Sequence, residues 1–310
     1  DVGIFQVEAK ERIRDHLRIQ QRLSKKLVER GVDLIVWSES GVRVGGFDRD
    51  KTHFPPVDAV LELPYHKERR LKGIVRRTPQ RGFRVPLLFG TTSVGRRATP
   101  RWEGDRLRSA FNSAFLLDEN GVLLDRYDKI ELLAFGEYVP FVEYFPKFYE
   151  WVPAAGALER GTEVKPLTFT RKIGDIQIGT LICYEGILPS FVRRMMGHNP
   201  DILVNITNDD WFGRTAERYL HLALVIPRAI EQRRSVVRST LTGVSAFVDP
   251  VGRLIKPTKM VDPEVIDWKA PLLSGNTIYQ LGGHYFSSIC ALWLLWLLCH
   301  GIWRRRSILR

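Results

Sequence analysis

Cys183 has the setting most typical of a reactive side chain in this sequence. It follows the run Ile176–Ile182, whose alternating and β-branched residues predict a strand that enters the core, and it is the only cysteine before residue 290. A thiol at the end of a strand can meet groups from neighbouring loops, whereas a thiol in the middle of a buried strand cannot. The competing interpretation is an inert core cysteine, because free thiols are among the most buried side chains.

Two further reactive groups follow predicted strands. Glu39 comes after the apolar segment Leu34–Trp37, and Lys129 closes a predicted hairpin. A carboxylate within hydrogen-bond reach of a thiol can remove its proton as a general base, and an ammonium group stabilises both the thiolate and the oxyanion that forms on attack. Taken singly, Glu39 fits a solvated carboxylate and Lys129 fits a side chain that extends to solvent. Together with Cys183 they predict nucleophilic catalysis through the thiol.

The elements that must position these groups alternate along the chain. Helices are predicted over residues 10–30 and 216–234. Strands are predicted over residues 33–37, 86–90, 112–117, 122–125, 166–170, 176–182, 202–206, 236–240 and 244–249. Residues 41–85 and 134–160 lack a clear period and are predicted as long loops. Strands that alternate with helices, together with consecutive hairpins, predict an α/β sandwich of two sheets with helices outside.

Length and composition limit the partners of the protein. The chain has 310 residues, which suffices for one large or two small domains, and a net charge of +12. This charge is spread along the chain without a recognisable nucleic-acid-binding module, so an anionic lipid surface is a better predicted partner than a nucleic acid. Solvated arginines without a partner are an equally open alternative. No zinc, Walker or dinucleotide-binding spacing is present, so neither a metal nor a cofactor is predicted.

The C-terminal segment has the composition of a transmembrane helix. Residues 285–303 contain no Asp, Glu, Lys or Arg, carry Trp and Tyr near their ends, and precede Arg304–Arg306. We expect a domain over residues 1–263, a linker over 264–283, a transmembrane helix over 284–303 and a basic cytoplasmic tail over 304–310. The positive-inside rule then places the domain on the outer side of the membrane. A buried core helix is the alternative.

Five short motifs resemble those of the nitrilase (carbon–nitrogen hydrolase) superfamily in order and spacing. They are Trp-Ser-Glu-Ser at 37–40, Tyr-Asp-Lys at 127–129, Phe-Gly-Glu-Tyr-Val-Pro at 135–140, Cys-Tyr-Glu at 183–185 and Thr-Asn-Asp-Asp-Trp-Phe-Gly at 207–213. Within that superfamily the chain looks most like the apolipoprotein N-acyltransferases, a likeness that residues 228–245 and the terminal apolar helix share. The resemblance covers nearly the whole chain and implies a nitrilase-like α-β-β-α sandwich.

The resemblance implies a role for each matching residue. Cys183 would be the nucleophile, Glu39 the general base and Lys129 the lysine that stabilises the oxyanion. Glu137 matches a second glutamate that orients this lysine. The other matches are supporting or substrate-binding positions, namely Tyr184, Glu185 and Trp211.

The resemblance also implies a reaction and a location. In the implied ping-pong reaction, the cysteine takes a fatty acyl chain from a phospholipid as a thioester, and the N-terminal amine of a diacylglyceryl-cysteine lipoprotein then accepts it. The implied location is the bacterial inner membrane, with the catalytic domain on the periplasmic side. We expect some of the aromatic side chains of the two long loops to line the access for acyl chains or to contact the lipid interface, ordinary packing being equally open for any single one. They are Phe54, Tyr65, Phe135, Phe141, Phe145, Phe148 and Trp151.

The chain departs from the family pattern at three points. Ser38 stands where the family often has proline. Several membrane helices normally precede the catalytic domain in the family and are not seen in this sequence, so a fragment or a truncated form is expected. The opening Asp-Val-Gly-Ile-Phe is expected to leave little room for the usual first strand of the sandwich.

Three functions remain in view at this point. The first is acyl transfer between lipids. The second is a carbon–nitrogen hydrolase that uses the same three groups with water as acceptor on a small amide or nitrile. The third is a non-catalytic, membrane-tethered interaction domain. The Cys-Tyr-Glu motif and the terminal helix favour the first, because a small-molecule amidase has no need of a membrane anchor.

Overall fold

Two β-sheets lie face to face, with helices on their outer surfaces. The computed structural model describes residues 2–6, 13–41, 47–54, 56, 79–96, 108–142, 144–145, 147–148, 157–171, 174–213, 215–259 and 263–308. Buried side chains of both inner faces pack together, Leu88, Ala114 and Leu116 from the first sheet against Ile182 and Ile206 from the second. The predicted α/β sandwich is therefore confirmed.

The strands and helices of the described residues have the following bounds. The strands are β1 (Val2–Gln6), β2 (Leu34–Val36), β3 (Phe47–Asp48), β4 (Leu87–Arg96), β5 (Arg108–Leu117), β6 (Leu123–Asp128), β7 (Leu158–Glu159), β8 (Leu167–Phe169), β9 (Ile176–Ile182), β10 (Ile202–Thr207), β11 (Val236–Thr240), β12 (Ala246–Val248), β13 (Leu254–Ile255) and β14 (Glu264–Trp268). The helices are α1 (Ile13–Glu29), α2 (Pro189–Met196), α3 (Glu217–Gln232), α4 (Ile278–Gly282) and α5 (Phe286–Ile308). Short 3₁₀ turns cover Cys183–Ile187, Asp209–Phe212 and Gly283–Tyr285.

The first sheet has the strand order β14-β1-β2-β4-β5-β6, with β3 paired to β4 and β7 to β5. Strands β1, β2 and β4 are parallel, and β4, β5 and β6 form an antiparallel meander. The amphipathic helix α1 covers the outer face, where its Leu23 and Leu27 join a buried cluster with Trp37, Phe89 and Phe115. This packing buries the apolar stripe that the sequence of α1 predicts.

The second sheet has the strand order β13-β12-β11-β10-β9-β8. Strands β9, β10 and β11 are parallel, as expected for strands joined by crossover helices. Helices α2 and α3 supply those crossovers and bury Phe191, Met195, Val225 and Ala229 against the sheet. The parallel strands β9 and β10 therefore end at the same edge of the sheet, so the loops that follow them are neighbours.

Two expectations about the ends of the domain are wrong. The opening residues do form a strand, since β1 lies between β14 and β2 and pairs with both. The expected linker over 264–283 begins inside the sheet, because Glu264–Trp268 is β14 and Ile266, which is buried, stands opposite Ile4. The domain therefore extends to the end of β14 and not only to residue 263, because β14 pairs with β1.

The C-terminal residues form one helix, α5, which continues through Arg304–Arg306 and so includes part of the expected tail. Its large apolar side chains between Phe286 and Leu298 are exposed on all sides. Within the described part of the chain, no helix reaches the length and apolarity that crossing a membrane requires.

Candidate active site

A cavity with a volume of about 590 Å³ lies where strands β2, β6 and β9 end. Its lining residues are Glu39, Ser40, Thr92, Asn112, Lys129, Leu133, Gly136, Glu137, Leu158, Cys183, Asn208, Asp210, Trp211 and Phe212. The fold thus brings Glu39, Lys129 and Cys183 together, with Glu137 and Trp211 beside them. Of the other predicted site residues, Tyr184 is half-buried and Glu185 fully buried, and neither is among the lining residues.

Cys183 occupies the junction between β9 and a 3₁₀ turn. Its φ is +50°, a left-handed conformation that costs an L-residue about 1–2 kcal/mol. The conformation ends the strand abruptly and turns the side chain from the sheet into the cavity. Strain of this kind is common where a fold presents a reactive group, because the surrounding structure must hold it.

Glu39 reaches the same cavity from the end of β2. A hydrogen bond from the Asn208 backbone holds its carboxylate, so the loop after β10 contacts the loop after β2. The backbone of β4 approaches very closely here, since a Cβ on Gly90 would lie 2.7 Å from the Glu39 Cα. Glycine is therefore required at this position for Glu39 to remain where it is.

Lys129 follows β6 directly and is fully buried. Its Nζ lies 2.8 Å from Glu137 Oε2, and its backbone N–H donates to the Asn112 carbonyl at 2.8 Å. The Leu133 backbone N–H donates to Glu137 Oε2 at 2.9 Å, which fixes the loop that carries Glu137. Glu137 is therefore paired with the ammonium group and is itself held by the backbone of its own loop.

Burial and charge set the protonation of the three central groups. Burial raises the pKa of Glu39, and Lys129 opposes this. Burial together with the Glu39 carboxylate raises the pKa of Cys183 to about 12, again opposed by Lys129. Burial disfavours the charged form of Lys129, but the Cys183 thiolate, where it forms, and the carboxylates of Glu39 and Glu137 outweigh this effect and raise the pKa of Lys129. At neutral pH the thiol is protonated and the lysine charged, so this cysteine needs a base to react.

Asn112 on β5 is a site residue that the sequence analysis missed. Its Nδ2 donates to Glu39 Oε1 at 2.6 Å and to Glu137 Oε1 at 2.9 Å. One amide thus joins the two carboxylates that flank Lys129. The available signal was the two-residue alternation of the strand, which places Asn112 on the same face as the core residues Ala114 and Leu116.

We expect Asn112→Ala to slow modification of Cys183 about tenfold and to shift the pH profile. The Asn112 hydrogen bond lowers the pKa of Glu39, so its removal raises that pKa. With Glu39 as the expected general base, the acid limb of the rate then moves to higher pH, since a base must be ionised to act. The measurement is the pH dependence of Cys183 alkylation, with Asn120→Ala in the exposed turn of the same hairpin as control. An unmoved acid limb would contradict the role assigned to Asn112.

Glu185 joins the segment that carries Lys129 to the segment that carries Cys183. Its Oε1 accepts the Ile130 backbone N–H at 2.8 Å, and its Oε2 accepts the Ile182 backbone N–H at 2.8 Å. These are the neighbours of Lys129 and Cys183 in the chain. Burial raises the pKa of Glu185 to about 7, although Lys129 opposes this. Glu185 is therefore a structural bridge beneath the site.

The loop aromatics divide into two groups. Phe54 is buried and packs edge-on against Phe115, so ordinary packing is the outcome for this residue. Phe135, Phe141 and Phe145 are exposed. Phe148 stacks on Phe145 with ring centroids 5.3 Å apart. The remaining two aromatics, at positions 65 and 151, lie outside the described residues.

Comparison with known proteins identifies the family. The model of the carbon-nitrogen hydrolase family matches residues 2–266. The chain belongs to the carbon–nitrogen hydrolase family. Its β1 and most of β14 lie within the matched region, in agreement with their places in the first sheet.

Curated relatives of this hydrolase-family chain are named apolipoprotein N-acyltransferase. The chain is 32% identical over 273 residues to that of Geobacter metallireducens, covering 88% of this chain and 46% of the relative. It is 41% identical over 176 residues to that of Bdellovibrio bacteriovorus, covering 56% and 31%. Apolipoprotein N-acyltransferase 2 of Treponema denticola is 29% identical over 268 residues, covering 83% and 46%. The chain thus spans less than half of the length of these relatives.

Solved structures share the fold. An amidase from Nesterenkonia sp. AN1, with acrylamide added at its active-site cysteine, matches with a TM-score of 0.53 at 17% identity, over 94% of this chain and 98% of that chain. A second structure of this nitrilase-superfamily amidase matches with a TM-score of 0.53 at 18% identity, over 94% and 96%. These likenesses concern the fold.

Proposed function

We propose that the chain is the catalytic domain of an apolipoprotein N-acyltransferase. The observation that carries the proposal is the convergence of Glu39, Lys129 and Cys183 in one cavity whose lining includes the exposed apolar side chains of Leu133 and Trp211. The names of the sequence relatives support the choice within the family. The acyl donor is a phospholipid, and the acceptor is the N-terminal amine of a diacylglyceryl-cysteine lipoprotein.

The first half-reaction acylates Cys183. Glu39 removes the thiol proton while the sulfur attacks the ester carbonyl of the phospholipid. The Lys129 ammonium stabilises the oxyanion of the resulting tetrahedral intermediate. When this intermediate collapses, the bond between the acyl carbon and the glycerol oxygen breaks, and Glu39 returns its proton to that oxygen. A lysophospholipid leaves, and the acyl group remains on the sulfur as a thioester.

The second half-reaction transfers the acyl group to nitrogen. The neutral amine of the lipoprotein attacks the thioester carbonyl, and Lys129 again stabilises the oxyanion. The carbon–sulfur bond breaks, Glu39 takes a proton from the nitrogen and passes it to the sulfur, and an amide is released. A thioester suits this sequence because it reacts with amines yet persists until the second lipid substrate arrives.

Helix α5 attaches the domain to the inner membrane in this proposal. Its exposed apolar side chains are not confined to one stripe, and a helix that is apolar all round requires an apolar environment. We extend the proposed transmembrane segment over residues 284–303, beyond the side chains of α5 that the structure describes, and Arg304–Arg306 remain cytoplasmic. The catalytic domain is then periplasmic, which brings its cavity to the surface where both substrates reside.

Exposed aromatic side chains on the segments that contribute lining residues support a lipid-facing site. Phe135 and Phe141 are 60% and 70% exposed, and the lining residue Trp211 is 70% exposed. Large exposed aromatic side chains are costly in water but favourable at a lipid interface. These side chains form the contact between the domain and the acyl chains of its substrates.

A carbon–nitrogen hydrolase acting on a small amide is the second candidate. The cavity volume of about 590 Å³ suits a small amide as well as one end of an acyl chain. Water would then replace the lipoprotein amine in the second half-reaction. The exposed apolar helix favours the transferase, because a small-molecule hydrolase has no need of it.

Intact-mass measurement separates the candidates. Membranes that contain the protein are incubated with a phospholipid of defined acyl chains. We expect wild type to gain one acyl mass that hydroxylamine removes, and Cys183→Ala to gain none. The double variant Cys290→Ala, Cys299→Ala is the matched control, because those two thiols are free and exposed in α5. It should acylate like wild type.

Other outcomes identify the alternatives. Turnover of small amides without any acyl mass would favour the hydrolase. Neither turnover nor a mass increase would favour a non-catalytic interaction domain. An acyl mass that persists in Cys183→Ala would exclude this cysteine as the nucleophile.

A further inference from the structure

A chain of buried polar groups lies behind the nucleophile, beneath α3 and on the face of the second sheet that points away from the first sheet. Arg238 Nη2 lies 2.8 Å from Asp209 Oδ2, and both side chains are fully buried. Arg238 Nη1 donates to Asn205 Oδ1 at 2.6 Å, and Asn205 Nδ2 donates to the Cys183 carbonyl at 3.4 Å. We propose that these groups together with His221, here termed the nucleophile clamp, hold Cys183 in the backbone conformation that presents its thiol.

The conformation of Cys183 requires such a clamp. Its φ of +50° is unfavourable for a residue with a Cβ, so it persists only where neighbours fix the backbone. Asn205 Nδ2 also donates to the Leu181 carbonyl at 3.0 Å. One amide group therefore holds the carbonyls on both sides of Ile182, where the strand ends and the turn begins.

Arg238 determines which way the Asn205 amide points. The guanidinium carries only donors, so the amide oxygen must face it and the amide nitrogen must face the Leu181 and Cys183 carbonyls. The fit is close, since a Cβ on Gly186 would lie 2.8 Å from Asn205 Nδ2. The register places Arg238 directly opposite Asn205 in the parallel pair of β10 and β11.

Asp209 and His221 are the remaining members of the clamp, and Asp209 lies between Arg238 and His221. Burial opposes ionisation of Asp209, but Arg238 and His221 hold its pKa below the ordinary value. The carboxylate is therefore charged and can balance the buried guanidinium. His221 Nδ1 lies 2.8 Å from Asp209 Oδ1, and this contact connects the clamp to α3.

The clamp acts through position. In the described part of the chain, none of its four residues is among those that line the cavity, so none touches the reacting atoms. A buried ion pair is weak as a source of stability, because desolvation offsets its attraction. Orientation of a strained nucleophile is a function that an apolar replacement could not supply. The inference rests on the proposed function in taking Cys183 as the nucleophile.

Alkylation of Cys183 tests the clamp without any acyl donor. In the Cys290→Ala, Cys299→Ala background, iodoacetamide reacts only with Cys183. We expect Asn205→Ala and Asn205→Asp to slow this alkylation about tenfold or more, because small misplacements of a reactive group carry large rate losses. The Asp variant retains an acceptor for Arg238 and lacks the N–H groups that reach the two carbonyls. In the acyl-transfer assay we expect the same fall in kcat with KM for the phospholipid unchanged.

Arg234→Gln is the matched control. Arg234 is a buried arginine just before β11, and its donors bind the carbonyls of Pro200 at 2.7 Å and Gly275 at 3.0 Å. We expect it to lower the thermal midpoint while alkylation of the folded protein proceeds at the wild-type rate. Arg238→Gln should lower both the thermal midpoint and the rate of Cys183 alkylation.

Two results would overturn the clamp. If Cys183 is alkylated at the wild-type rate in both Asn205 variants, the Asn205 amide does not position Cys183. If Arg234→Gln slows alkylation as much as Arg238→Gln, the effect reflects general loss of packing. If iodoacetamide alkylates the wild-type protein but phospholipid never acylates it, the proposed function is refuted. The alkylation rates of the Asn205 variants then still decide whether the clamp positions Cys183.

Discussion

Glu39→Gln is expected to slow thioester formation about a thousandfold. Positioned general bases contribute roughly 10²- to 10⁴-fold, and the base proposed here would serve a thiol whose pKa burial and the Glu39 carboxylate raise to about 12. Glutamine keeps the shape of the side chain and an acceptor for Asn112, but it cannot take a proton at neutral pH. The measurement is single-turnover acylation by a phospholipid, followed by intact mass.

The pH dependence gives a second, independent signature of this substitution. Burial raises the pKa of Glu39, so the wild-type rate falls as the pH drops through that value. In the glutamine variant the negative charge that raises the pKa of Cys183 is gone, so this pKa falls. The small residual rate should then rise with pH as free thiolate forms, without the wild-type plateau.

Glu131→Gln is the matched control for this prediction. It makes the same chemical change at a carboxylate that pairs with Arg194 and Arg160 and is not a lining residue of the cavity. It should acylate normally. Acylation by Glu39→Gln at more than about a tenth of the wild-type rate, with an unchanged pH profile, would rule out Glu39 as the base.

Strand ends were the part of the site most accessible to sequence reasoning. The apolar runs before Glu39 and Cys183 and the hairpin before Lys129 have the period that strands require, so their ends could be placed within a few residues. Parallel strands of one sheet end at one edge, and the sandwich brings the edges of both sheets together. Their convergence in one cavity follows from the fold.

The partners of these groups could not be predicted in the same way. Asn112 lies within a strand, and its role depends on a register with β4 and β6 that no local pattern specifies. The contact between Asn205 and Arg238 likewise requires strands that are far apart in sequence. Strand β1 was missed because its pairing with β14 spans nearly the whole domain.

Lys129→Met is expected to slow alkylation and acylation of Cys183 about a hundredfold or more. The substitution removes the positive charge to which we assign stabilisation of the thiolate and the oxyanion, while it keeps most of the side-chain volume. Lys129 also lowers the pKa values of Cys183 and Glu39. Both pKa values therefore rise in the variant, and the pH at which the remaining alkylation becomes appreciable should be higher than in wild type.

The same substitution should destabilise the protein increasingly as the pH rises. The pKa of Glu185 is about 7 in the folded protein against an ordinary 4.5, so the folded state binds more protons across this interval. The free energy of unfolding consequently falls as the pH increases through it. Without Lys129, the pKa values of Glu185 and Glu39 rise further, and the loss of stability extends to higher pH. The deficit in thermal midpoint relative to wild type should be larger at about pH 8 than at about pH 5.

Lys165→Met is the control for both effects. Its Nζ lies 2.8 Å from Asp125 Oδ1 in a partly exposed pair outside the cavity, so its removal should change neither the rate nor the pH dependence of the thermal midpoint appreciably. Thermal scans of the two variants at several pH values, together with alkylation rates, provide the comparison. A deficit in Lys129→Met that is the same at every pH would mean that this ammonium does not balance the buried carboxylates. That result would also contradict the proposed arrangement in which the Lys129 ammonium offsets the charges of Glu39 and Glu185.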